Sequence, residues 1–167
     1  MTSIQNKILN HDQIVHKIKR MAYQIYETFV DEDEIIIAGI ENDGLKFAKK
    51  IHLALSDISD IKITLCAVKV DKENLLNPIK TSLTEDEYKN KALVLVDDVL
   101  NSGGTLIYAV KHFLNVPLTK FKTAVLVDRN HKRYPIKADF KGISLSTSLQ
   151  EHVIVNFKSN NYSVHLS

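Results

Sequence analysis

Two adjacent carboxylates, Asp97 and Asp98, close an apolar run in "ALVLVDDVLNSGGTL", just ahead of a glycine turn. Like charges side by side at the end of a buried strand are costly in a dry place. They become favourable when they face vicinal hydroxyls and a hard cation. The turn that follows suits an anion. Gly103 and Gly104 carry no side chain, so backbone N–H groups can converge there. The next helix adds its positive N-terminal end, and Ser102 and Thr105 add hydroxyl donors. A monophosphate cradle beside paired carboxylates fits a phosphorylated sugar, its diol at Asp97 and Asp98. The spacing alone carries little weight, and the strand–turn–helix setting gives it meaning.

That setting must come from the surrounding elements. Asn10 is placed to cap a helix, with Gln13 three residues on. Ile14, Ile18, Met21, Ala22, Ile25 and Phe29 recur at helical spacing behind it. "IIIAGI" is a continuous apolar run of strand length, punctuated by "ENDG", and a helix is expected from Leu45 to about Ser56. "IKITLCAVKV" reads as a strand. From Asp71 to Asn90 the pattern dissolves around Pro78, which predicts a flexible lid over 71–90. "ALVLVD" is a buried strand, Gly104 to Asn115 a helix, and "FKTAVLVD" another strand. The tail reads as short extended pieces, "PIKADF", "HVIVNF" and "YSVHL". Unbroken apolar strands alternating with helices predict an α/β fold, a mostly parallel sheet flanked by helices. Ligands in such sheets bind at the carboxyl ends of strands.

The chain has 167 residues, 44% hydrophobic and 25% charged, with a net charge of +2. One soluble domain spanning 1–167 is expected, and a basic surface has to be local. The single cysteine, Cys66, excludes a disulfide framework within the chain and reads as a small buried hydrophobe. The polar start "MTSIQNKILN" reads as no secretory leader, and no apolar run is long enough for a membrane span. A cytoplasmic protein is the expectation.

"VLVDDVLNSGGTL" resembles the 5-phosphoribosyl-1-pyrophosphate (PRPP) signature of the type I phosphoribosyltransferases. "TAVLVDRNHKRYPIKADFKGISLSTSLQEHVIV" resembles one branch of them, the bifunctional pyrimidine operon regulator/uracil phosphoribosyltransferases. The opening helix and "IIIAGIENDGLKFAKKI" align in kind with the family's first helix and its pyrophosphate loop. The resemblance implies a single-domain type I fold with a flexible lid, and transfer of phosphoribose from PRPP to uracil, with Mg²⁺, to give UMP. It assigns Asp97 and Asp98 to the ribose hydroxyls and Mg²⁺, and Asn101, Ser102, Gly103, Gly104 and Thr105 to the 5-phosphate. Glu41, Asn42, Asp43 and Gly44 fall at the pyrophosphate. Asp128, Arg129 and the segment through Ile136 fall near the base. A homodimer or higher homo-oligomer is the family expectation.

The sequence departs from the family pattern at four places. The pyrophosphate loop carries Glu41 and Asp43 where the family carries basic residues. Gly104 stands where the family has arginine or lysine. "TLCAVKVDK" lacks the family's arginine, leaving Lys69 and Lys72, which do not reproduce an arginine fork. Asn101 occupies the place of the general-base aspartate of purine-specific relatives, and an amide cannot take that proton. These departures leave catalysis open. The alternatives are a nucleotide-sensing, RNA-binding regulator of pyrimidine genes with little or no turnover, or a related transferase with another substrate. RNA is suggested by seven cations against two carboxylates between Lys120 and Lys141. Arg129, His131, Arg133 and Lys137 are the RNA candidates, with His16, Lys17, Lys19 and Arg20 on the opening helix. The remaining histidines show no metal-ligand spacing.

Overall fold

The computed structural model describes residues 6–167. The first five residues of the polar start lie outside it. Strand β1 (Asn6–Leu9) leads into helix α1 (His11–Thr28). The Asn10 side chain accepts from Gln13 N at 2.9 Å, and Gln13 Oε1 accepts from Asn10 N at 2.9 Å. That reciprocal pair satisfies two amides the first turn would leave bare. Ile14, Ile18, Met21, Ala22 and Ile25 are buried along one face, as their spacing requires.

Strand β2 (Glu34–Ile40), helix α2 (Asp43–Ile58) and strand β3 (Lys62–Lys69) form the first strand–helix–strand unit of the sheet. A two-residue strand, β4 (Lys80–Thr81), and a helical turn, α3 (Glu85–Tyr88), follow. The second unit is β5 (Ala92–Leu100), α4 (Gly104–Phe113) and β6 (Lys120–Arg129). Then come β7 (Phe140–Leu145), β8 (Val153–Lys158) and β9 (Asn161–Leu166).

The main sheet runs β4-β3-β2-β5-β6-β7, parallel except for β4, and β1-β9-β8 form a separate antiparallel sheet. From β2 the chain crosses outward to β3, and from β5 it crosses outward the other way to β6. The reversal point therefore lies between β2 and β5, whose registers match Gly39 with Val96. That is where an open α/β sheet leaves a crevice. Alternating residues feed two cores. Ile35, Ile37, Val94 and Val96 pack under α1 and α2, while Ile36, Ala38, Leu93 and Leu95 pack under α4. Each fully buried chain of this size contributes about 1.5–3 kcal/mol.

Several expectations need correction. The connection 71–90 is not featureless. β4 pairs with β3, and Tyr88 is fully buried edge-on against Phe113 at 5.1 Å. A single aromatic at the end of a polar run gives no periodic signal. The strand expected to stop at Asp97 continues to Leu100, because Val99 and Leu100 pair with Val127 and Asp128. "PIKADF" is irregular as far as Asp139, and the strand beside β6 starts at Phe140. Asp139 sets that start, its backbone N donating to Thr123 O at 3.0 Å and its carboxylate accepting from Thr123 N at 2.9 Å. No helix is long and apolar enough to cross a membrane among the described residues. Cys66 is a buried free thiol, pushed up in pKa by burial.

Candidate functional site

The carboxyl ends of β2 and β5 bring the two predicted loops face to face. Asp97 and Asp98 sit inside β5, so their side chains take different directions. Asp97 is only 5% exposed and points inward. Its Oδ1 accepts from Asp98 N at 2.9 Å. A Cβ on Gly44 would lie 2.8 Å from that oxygen and 3.1 Å from both Asp97 Cα and Val96 O. Gly44 is therefore the residue that lets the first turn of α2 close onto β5. Burial pushes the Asp97 carboxyl well up in pKa, the Asp98 charge adds to this, and Lys72 partly offsets it. Asp98 is the half-exposed member and lines the clefts on both sides. The two carboxylates are thus unequal in exposure, Asp97 buried and Asp98 half-exposed, and both line the cavity of the turn that follows.

The turn after β5 is built for backbone presentation. Gly103 has φ +91°, and a Cβ there would also stand 2.4 Å from Ile136 Cγ2. Ser102 O is held by Arg133 N at 2.8 Å and Tyr134 N at 3.1 Å. Ser102 Oγ accepts from Gly104 N at 3.3 Å. Among the described residues the N–H groups of Ser102, Gly103 and Thr105 have no protein acceptor. They open onto a cavity of about 210 Å³ that also contains Asp97, Asp98, Asn101 and Lys72. Free amides at a helix start are an anion site.

Beside it lies a larger cleft of about 700 Å³, lined by Glu41, Asn42, Asp43, Asp98, Lys69, Lys72 and Lys80 among others. Helix α2 begins at Asp43, two residues earlier than its apolar pattern indicates, so the loop proper is Glu41 and Asn42. The peptide between these two is cis. Asp43 faces Lys46 at 3.5 Å within its own helix. Three of the lining lysines come from β3, β4 and the connection after β3. Lys80 was not singled out in the sequence, since only the pairing of β4 with β3 carries it to the cleft.

Gly104 has a different consequence. A Cβ there would meet Leu75 Cδ1 at 2.9 Å and Tyr134 Cε2 at 3.1 Å. The lid tip thus occupies the space that a larger residue at 104 would enter. The lid is internally bonded, Asp71 accepting from Glu73 N at 3.0 Å, Asn74 N at 3.2 Å and Asn77 Nδ2 at 2.8 Å. Those bonds hold the Asp71 carboxyl below its ordinary range.

The base and RNA candidates separate. Asp128 is buried, with Lys132 Nζ 3.1 Å from Oδ1 and Lys141 Nζ 3.6 Å from Oδ2. The first contact is out of line for a hydrogen bond, since Oδ1 has no aligned donor. Arg129 is half-buried and bonded to Asn101 and the segment after β7, and the His131 ring contacts Thr147 O. Arg133 and Lys137 are exposed, and Ile136 packs over Gly103. Of the cationic segment 120–141, Lys120, Arg129, Lys132 and Lys141 therefore have internal partners, Lys120 Nζ donating to Thr28 O at 2.7 Å. No cluster of three metal-ligating side chains exists among the described residues.

Residues 5–159 match the phosphoribosyl transferase domain. The chain is similar to the Bifunctional protein PyrR of Streptococcus mutans, 33% identical over 144 residues, covering 83% of this chain and 81% of that one. It is also similar to the Bifunctional protein PyrR of Clostridium acetobutylicum, 30% identical over 164 residues, covering 93% and 92%. Its fold is similar to that of hypoxanthine phosphoribosyltransferase from Trypanosoma cruzi in a ternary substrates complex, with TM-score 0.79 and 18% identity over 96% of this chain and 95% of that one. A hypoxanthine-guanine phosphoribosyltransferase from Bacillus anthracis gives TM-score 0.73 at 20% identity, covering 86% and 84%.

Proposed function

Because the chain belongs to the phosphoribosyl transferase domain family, on the branch of the bifunctional PyrR proteins, we propose that it transfers phosphoribose from PRPP to a pyrimidine base, uracil first, releasing pyrophosphate. The observation that carries this reading is the 102–105 turn, whose free amides share a cavity with Asp98 and Lys72, two residues that also line the larger lysine-lined cleft. The turn takes the 5-phosphate and Asp98 the ribose hydroxyls. Asp97 supports Asp98 from below. The pyrophosphate lies in the larger cleft.

The missing cations of the pyrophosphate loop have a substitute across the cleft. Lys69, Lys72 and Lys80 supply positive charge there, and the Lys46 contact turns Asp43 toward its own helix. Mg²⁺ fits the donor set. Asp98 offers one presented carboxylate, and PRPP oxygens would complete the shell, which is how a hard cation is held without a protein cage. When bound, the ion would neutralise charge on the departing pyrophosphate. The chain's own part is positioning of the two phosphate ends and stabilisation of charge. The Asn101–Arg129 bond and the absence of a carboxylate at 101 favour a pyrimidine over a purine.

The test is UMP formation from PRPP, Mg²⁺ and uracil, with hypoxanthine and guanine as competing bases. Turnover on uracil that Asp98→Asn lowers by at least tenfold supports the reading. No UMP above background removes it.

A second reading is a regulator that binds RNA and senses nucleotide at the same turn. It is supported by a groove of about 560 Å³ beside α1, lined by Gln13, His16, Lys17, Arg20 and Ile143 among others, together with exposed Arg133 and Lys137. Affinity for a pyrimidine-leader RNA that falls steeply with salt supports it. Indifference to RNA at low salt excludes it.

A further inference from the structure

Three consecutive residues at the carboxyl end of β6 reach across to the connection 146–152, which joins β7 to β8. Asn130 Nδ2 donates to Ser146 Oγ at 2.6 Å, and the His131 ring contacts Thr147 O. Arg129 does most. Its Nε and Nη2 both donate to Thr147 Oγ1, at 2.9 and 2.8 Å. Nη2 also reaches Ser148 O at 3.1 Å and Glu151 O at 2.7 Å. Nη1 donates to Asn101 Oδ1 at 3.0 Å. Asn101 is the residue immediately before the anion turn.

This connection has little regular structure of its own, so its carbonyls need partners from elsewhere. The guanidinium supplies them. Among the described residues Arg129 forms no ion pair, although Glu151 is at hand. The Glu151 carboxylate accepts instead from Ser148 N at 2.7 Å. Thr147 is 6% exposed, and its hydroxyl is clamped by one planar fork that lysine cannot copy. Val153, at the end of the same connection, lines the cavity of the anion turn. One rigid cation thus bonds the turn's leading side chain and the wall beside it.

We propose that Arg129 is a positioning residue, tying the wall 146–152 to the phosphate turn through Asn101 so that the wall meets the base of a nucleotide whose 5-phosphate sits in that turn. The inference rests on the phosphoribosyltransferase reading. It takes Arg129 out of the RNA candidates, because its guanidinium is engaged by Asn101, Thr147, Ser148 and Glu151. Binding of the base and of the phosphate are thereby coupled through one side chain. A ligand with the phosphate but no base does not use the wall.

The test uses the full chain with UMP and ribose 5-phosphate as probes, titrated by calorimetry. The variants are Arg129→Lys and Thr147→Val, the latter removing the clamp without touching the cation. Both are expected to weaken UMP at least tenfold and ribose 5-phosphate less than threefold. Both should also speed hydrogen exchange at amides 146–152 in the free protein. Equal losses for both probes would make Arg129 a general stabiliser and overturn the proposal. So would unchanged UMP affinity, or a wild-type protein that binds UMP no tighter than ribose 5-phosphate. The transferase reading fails separately. Absence of UMP formation with the calorimetric pattern intact removes turnover and leaves the tie. Full-rate UMP formation by both variants removes the tie and leaves the transferase.

Discussion

Replacing Gly103 by alanine tests the anion turn at its tightest point. Two independent costs meet there. An L residue at φ +91° pays for a left-handed conformation, roughly 1–2 kcal/mol. Its Cβ also lands 2.4 Å from Ile136 Cγ2, an overpacking cost of about 1–3 kcal/mol. The sum is about 2–5 kcal/mol, which for a chain of this length lowers Tm by roughly 5–15 °C. Ribose 5-phosphate affinity should fall at least tenfold, because relief requires the turn's amides to move. Adding Ile136→Ala removes the collision and leaves the dihedral strain. The double-mutant cycle should therefore give a favourable coupling of about 1–3 kcal/mol, read by thermal unfolding of all four proteins. Strict additivity would refute the steric part of the argument. An unchanged Tm and an unchanged affinity for Gly103→Ala would refute the turn geometry itself.

Asp97→Asn should raise stability at neutral pH. The folded carboxyl has a raised pKa, so the folded state holds more protons than the unfolded one once pH exceeds the ordinary value of 3.8, and stability falls as pH climbs toward the folded value. Asparagine keeps the acceptor for Asp98 N and removes that slope. The Tm gain over wild type should vanish below about pH 3 and be largest near neutrality, and a gain independent of pH would contradict the assignment. Gly104→Arg should displace Leu75 and loosen the lid backbone, speeding trypsin cleavage at Lys72 and Lys80, whose side chains are already exposed; an unchanged cleavage rate would show that Leu75 does not seat there. Within the connection 71–90, Tyr88→Ala should cost about 3–5 kcal/mol, while Leu76→Ser, at a position 78% exposed, should stay within about 0.5 kcal/mol. Urea unfolding of the two proteins decides it, and similar losses would mean the lid and its anchor are not distinct.

The α/β architecture was legible because its signals are local. α1 advertises its start through Asn10 and Gln13 and its buried face through period 3.6. β2, β5 and β6 are continuous apolar runs because both their faces are covered. The anion turn was equally local, since a strand end, two glycines and a helix start occupy consecutive positions. β1, β4 and β7 were missed. They are short edge strands whose existence depends on a partner far along the chain, as β7 depends on Asp139 meeting Thr123.

The chain's own order of residues thus determined which groups stand at the carboxyl ends of the strands, and that a phosphate could be met there by bare amides. Only the tertiary structure decided what each group does. It turned Asp97 inward against Gly44 and left Asp98 to the cleft. It brought Lys80 to face a loop of carboxylates, and filled the space at Gly104 with Leu75. It also engaged Arg129 with Asn101 and Thr147. Each outcome rests on contacts between residues distant in sequence, where a side chain's direction follows from packing, which spacing along the chain does not encode.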